Sequence, residues 1–141
     1  MKAYAESSAI LAWLLGEPRG EDVRRILEDA ARVVASRLTR LECLRGIVRA
    51  ETAGRASRAE AAQLLQVFSQ ASAEWTLIDV APEVLDRAGA SFPDEPVRAL
   101  AAIHLATVLV VRSGLRDVEI IALDEQVRRN ALHLGIPVQP A

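Results

Sequence analysis

The chain has 141 residues, 51% of them apolar, with a formal net charge of −2. That suits one domain with a core able to fold unaided, and a single cysteine, Cys43, excludes an internal disulfide. The charge excludes a globally basic nucleic-acid-binding surface, and the longest apolar run, Ala101–Val111, falls far short of the about 20 residues that span a bilayer.

Lys2–Ala5 reads as a strand. Ser7 or Ser8 is placed to cap a helix through Leu15, which Gly16-Glu17-Pro18 stops. Gly20–Ala30 has helical spacing at Val23, Ile26, Leu27 and Ala30, and Arg32–Ala35 reads as a strand. A helix is expected over Thr39–Ala53, with Leu41, Leu44, Ile47 and Val48 as its inner stripe and Gly54 at its end. Ser57 suits the cap of a helix over about Arg58–Gln70, with Ala61, Leu64, Leu65 and Phe68 inward.

Glu74–Val80 reads as a strand, and Pro82 opens a helix to about Ala88. Ser91–Pro96 is a loop. Val97–Val111 is a helix whose inner stripe runs through Val97, Leu100, Ala101, His104, Leu105, Val108 and Val111. Glu119–Leu123 is a strand, Asp124 caps a helix over Glu125–Leu134, and Val138 begins a short last strand. Strands alternating with helices predict an α/β fold: one domain over residues 1–141, a parallel sheet with helices on both faces.

Three acids occupy comparable places. Glu6 follows the first strand, Glu42 lies in the first turn of the helix after the second, and Asp124 follows the EIIAL strand. Ligands gather beyond the carboxyl ends of parallel strands. Carboxylates brought together there repel one another and attract a hard divalent cation such as Mg²⁺ or Mn²⁺. Each acid also has a plain structural reading. Asp124 is a good N-cap, Thr39-x-x-Glu42 fits a capping box, and Glu6 stands before a helix whose dipole favours negative charge.

Four stretches in order resemble the PIN domains of VapC-type ribonuclease toxins: KAYAESSAILAWLLGEP, VVASRLTRLECLRGIVRA, EPVRALAAIHLATVL and IIALDEQVRRNALHLGIPV. Together they cover nearly the whole chain. The resemblance implies a metal-dependent endoribonuclease, typically a cytoplasmic homodimer restrained by a cognate antitoxin. It implies Glu6, Glu42 and Asp124 as catalytic and metal-binding residues, with Mg²⁺ or Mn²⁺ as cofactor and Ser8 as a supporting hydroxyl. The first apolar stretch, broken by Glu6 and closed by Glu17, lacks a signal-peptide pattern, and the lone thiol suits a reducing compartment.

Two departures stand out. The first acid is Glu6, where the family usually has Asp. Ala101 stands where the family usually has a metal-binding Asp, three residues before a histidine, and it offers neither oxygen nor charge. Natural divergence and deliberate replacement account for it equally. The expected consequence is impaired hydrolysis; the alternative is an inactive PIN-like module that binds RNA or its antitoxin. His104 also lies on an apolar stripe, so a core histidine is favoured over a ligand, since hard cations prefer oxygen.

The cationic residues are almost all arginine, Lys2 being the only lysine. Arg45, Arg49, Arg98, Arg128 and Arg129 are candidates to hold RNA phosphates. Trp13 is read as core or dimer contact ahead of an antitoxin groove, and Leu64, Leu65 and Phe68 suggest a dimer face. A phosphatase-like hydrolase would need an Asp nucleophile after the first strand, and Glu6-Ser7-Ser8 supplies none; a glycine-rich phosphate loop is also absent.

Overall fold

The first strand, β1 (Lys2–Ala5), sends Ala3 and Ala5 to one face of the sheet and Tyr4 to the other, as the two-residue period of a strand requires. In the computed structural model, which describes residues 1–141, the elements that follow are α1 (Ser7–Leu14), α2 (Gly20–Asp29), β2 (Arg32–Ser36), α3 (Arg37–Thr52) and α4 (Arg58–Ser72). Then come β3 (Thr76–Ile78), α5 (Pro82–Ala88), α6 (Ala99–Gly114), β4 (Val118–Ile121), α7 (Glu125–His133) and β5 (Val138–Gln139). All strand pairings are parallel, in the order β3-β2-β1-β4-β5.

Two cores flank the sheet, as expected for helices on both faces. Ala3, Ala5, Val33, Ala35 and Ile121 pack with buried residues of α1 to α4. Tyr4, Val34, Val118 and Ile120 pack with those of α6 and α7. The chain builds outward from β1 through β2 to β3, then returns to add β4 and β5 on the other side of β1. That reversal leaves a crevice at the carboxyl ends of β1 and β4, where ligands bind in open parallel sheets. No helix is long and apolar enough to cross a membrane.

Several local expectations are corrected. The cap of α1 is Glu6, whose carboxylate accepts from the Ser8 amide, rather than Ser7 or Ser8. Helix α3 starts two residues before Thr39, because Ser36 is the cap and accepts from the Leu38 amide. The Thr39–Glu42 capping box therefore does not form; the Thr39 hydroxyl instead donates to the Ala5 carbonyl at 3.0 Å. The buried stripe of α3 is Thr39, Cys43, Gly46, Ile47 and Ala50, while Leu41 and Val48 are exposed. Leu100 is exposed as well, and β3 is a short edge strand of Thr76–Ile78. Phe68 is buried in the core and so is not available to a dimer face, whereas Leu65 is exposed. Trp13 is half-buried against the α1–α4 core.

Helices α1 and α2 meet closely at Gly20. A Cβ there would lie 2.4 Å from the Ala12 carbonyl oxygen.

Candidate active site

Glu6 is placed by strand pairing and then by helix capping. Its amide donates to the Ile121 carbonyl at 3.0 Å, extending the β1–β4 pairing by one residue. The chain then turns into α1, and the side chain folds over the new helix N-terminus. Oε2 accepts from the Ser8 amide at 3.1 Å and from the Ser8 hydroxyl. Glu6 is only 4% exposed, so these donors and the helix dipole carry the burden of holding a charge there.

Glu42 approaches from α3. The Ser7 hydroxyl lies 3.0 Å from Glu6 Oε1 and 2.8 Å from Glu42 Oε1, so its single proton is shared between two carboxylates. His104 approaches from α6. Its Nε2 stands 2.6 Å from Glu42 Oε1 and 3.7 Å from Glu6 Oε1. Its Nδ1 stands 2.8 Å from the Tyr4 hydroxyl. A carboxylate can only accept, so in the neutral ring Nε2 carries the proton and Nδ1 accepts from Tyr4. Burial, followed by the nearby Glu6 charge, pushes the Tyr4 phenol well above its ordinary pKa, so it remains a donor. Every buried side-chain polar atom has a partner. His104 is thus satisfied, as a core histidine would be, but its partner at Nε2 belongs to the acidic cluster.

Asp124 stands at the same edge on different terms. One of its oxygens caps α7 through the Val127 amide at 3.1 Å, and the other pairs with Arg98. Ser8 connects the two acids, accepting from the Leu123 and Asp124 amides at 2.9 Å each while donating to Glu6. Glu6, Glu42 and His104 have ligand atoms within 4.8 Å of one another, a group that does not include Asp124. All four line one cavity of about 500 Å³, together with Ala101. Ala101 is buried one helical turn before His104.

Arg45, Arg49 and Arg98 line that cavity, with Leu38, Leu41 and Leu100 among the apolar walls. Arg128 does not line it; its guanidinium donates to the Ala122 carbonyl at 2.8 Å. Arg129 is paired with Asp94 at 2.7 Å. Sequence reading overlooked Tyr4 and Ser7. Tyr4 looks like one more apolar strand residue, and Ser7 like a helix cap.

The PIN domain profile matches residues 3–133. The chain belongs to the PIN-domain family. Ribonuclease VapC46 of Mycobacterium tuberculosis (strain ATCC 25618 / H37Rv) is 35% identical over 136 residues, covering 96% of this chain and 94% of that protein. The PIN domain described here is therefore of the VapC kind. A chain in the crystal structure of VapBC2 from Rickettsia felis, bound to a DNA fragment from their promoter, superposes with a TM-score of 0.61 at 8% identity. That match covers 99% of this PIN domain and 98% of the other chain, and at such identity it is a likeness of fold.

The donor set of this PIN domain, two carboxylates and an imidazole around one cavity, suits a divalent cation.

Proposed function

We propose that this chain is a metal-dependent endoribonuclease toxin of the VapC kind, acting on RNA and held in check by a cognate antitoxin. The observation that carries the reading is the meeting of Glu6 and Glu42 at the β1–β4 crevice, in a cavity that Arg45, Arg49 and Arg98 also line. Acids of one sign surrounded by arginines match a phosphodiester held beside a cation. The relationship to VapC46 over nearly the whole chain supports the same activity.

Glu6 and Glu42 would hold Mg²⁺ or Mn²⁺, which would supply an activated water and neutralise charge on the phosphoryl oxygens. Ser7 and Ser8 orient the two carboxylates. The cavity arginines position the RNA backbone. Asp124 would join the site only by releasing Arg98. With Ala101 offering no oxygen, the cavity has fewer ligands than the family pattern implies, so hydrolysis is weakened. We further propose a homodimer, with exposed Leu65 on α4 available for association.

The test is RNA cleavage with Mn²⁺ or Mg²⁺. Cleavage that chelation abolishes and that Glu42→Gln removes supports the reading. Cleavage indifferent to chelation overturns it. Co-purification with the product of a neighbouring small reading frame tests the antitoxin, and light scattering at micromolar concentration tests the dimer. A second reading, a PIN module that binds without cutting, is favoured by Ala101 and by the Arg98–Asp124 pair that occupies one acid. Undiminished RNA binding with no cleavage under any metal would select it.

A further inference from the structure

We propose that His104 is itself a ligand of the divalent cation, through Nε2, in place of the carboxylate that Ala101 lacks. The proposal rests on the metal-dependent reading above and departs from the expectation of a purely structural histidine.

Donors about 2.1 Å from one octahedral ion stand roughly 3 Å from each other. His104 Nε2 lies 2.6 Å from Glu42 Oε1 and 3.7 Å from Glu6 Oε1, distances that bracket this value. Nε2 faces Glu42 Oε1 directly, so a cation bound by both donors would replace that hydrogen bond. Ala101 and His104 are one turn apart on the buried face of α6, and both line the cavity. A side chain from that face of α6 can therefore reach the ion, and His104 is the one that carries a donor.

A ligating imidazole usually donates its other ring N–H to an oxygen behind it. Tyr4 places its phenol oxygen 2.8 Å from Nδ1. Coordination requires the proton to leave Nε2 and one to return at Nδ1 by exchange with solvent, so the ring stays neutral. Nδ1–H then donates to the Tyr4 oxygen, and the Tyr4 hydroxyl must find another acceptor. The buried Thr39 and Thr107 hydroxyls neighbour the phenol. Their own protons go to the Ala5 and Ile103 carbonyls, which leaves their oxygens free to accept. The ring nitrogens are thus partnered in either tautomer, by Tyr4 at Nδ1 and by Glu42 or the cation at Nε2.

A nitrogen ligand favours Mn²⁺ over Mg²⁺, because imidazole is softer than a carboxylate oxygen. The test is pulsed electron paramagnetic resonance of Mn²⁺ bound to the tag-free full chain, with Mn²⁺ and Mg²⁺ affinities measured alongside. His133 is the only other histidine and is exposed; His133→Asn serves as the control. We expect ¹⁴N modulation on the bound Mn²⁺ that survives His133→Asn and disappears in His104→Gln. We also expect Mn²⁺ affinity to fall about 10-fold or more in His104→Gln, with Mg²⁺ affinity falling less. Bound Mn²⁺ without nitrogen modulation in the unsubstituted chain overturns the ligand assignment alone, whether or not His104→Gln folds. Failure of the chain to bind either ion overturns the metal-dependent reading as well.

Discussion

The His104 ring spans Tyr4 and Glu42, with Nδ1 2.8 Å from the phenol oxygen and Nε2 2.6 Å from Glu42 Oε1. This bridge ties α6 to β1 and α3 through a ring only 1% exposed. In Tyr4→Phe the buried Nδ1 loses its partner with almost no change in volume. The cost of such an orphaned polar group is about 1–3 kcal/mol. Urea unfolding should show that loss with an unchanged denaturant slope. A variant as stable as the parent would mean the bond contributes nothing to the fold.

Ala101→Asp is expected to raise RNA cleavage and metal affinity by about 10-fold or more, the scale on which even indirect supports of a metal site act. Without metal the added charge would sit near Glu6 and Glu42, so the same variant should be less stable than the parent. Addition of Mn²⁺ should reverse that order by mass action. Equal cleavage by both proteins at limiting Mn²⁺ would remove Ala101 from the explanation.

Arg98 is 64% exposed at its side chain and its partner Asp124 is 23% exposed. An ion pair this open to solvent contributes only ~0–1 kcal/mol. Arg98→Gln should therefore leave thermal stability nearly unchanged. RNA affinity should weaken, and the slope of its salt dependence should fall by about one phosphate contact. An unaltered slope would place Arg98 outside the RNA path.

Gly20→Ala should be among the costlier surface-adjacent changes. The new Cβ would meet the Ala12 carbonyl oxygen at 2.4 Å and its carbon at 2.8 Å, and neither can swing aside as a side chain would. Overpacking of this kind costs about 1–3 kcal/mol. A chemical-denaturation midpoint equal to the parent's would show that α1 and α2 can separate without penalty.

Alkaline pH should destabilise the fold. Burial pushes the Cys43 thiol up, with Glu42 and then Glu6 adding to the shift, and Tyr4 is raised likewise. In the unfolded chain these groups lose their protons at about pH 8.5 and 10, while in the folded chain they keep them. The folded state then binds more protons, so stability, intact below pH ~8, falls as pH rises above the unfolded thiol value. Urea midpoints from pH 7 to 11 test this. In the native protein Cys43 should also resist thiol reagents until the chain unfolds, since it is fully buried and held as a thiol.

The order of the elements and the parallel sheet were legible in the sequence, because apolar period and end signals are local. Gly16, Pro82, Ser57 and Gly135 mark element ends wherever the chain is read. The boundary of α3 was less so. Ser36 and Thr39 are both acceptable caps, and the choice depends on the Ala5 carbonyl from another strand taking the Thr39 hydroxyl. Leu41, Val48 and Leu100 carried the helical spacing of core residues, yet they are exposed. Leu41 and Leu100 flank the cavity mouth, where the packing partners run out.

By itself the sequence determined the fold class, the family and the placing of Glu6, Glu42 and Asp124 at the carboxyl edge. Strand ends and helix starts are read from neighbouring residues, and parallel strands carry their ends to one side. Only the tertiary structure decided which of these residues meet. Asp124 is drawn to Arg98, 26 residues away, whereas Glu6 and Glu42 converge on Ser7 and His104. It also decided that Tyr4, a hundred positions from His104, stands behind the imidazole. Contacts between residues so far apart in the chain depend on strand register and helix rotation, and neither leaves a local trace.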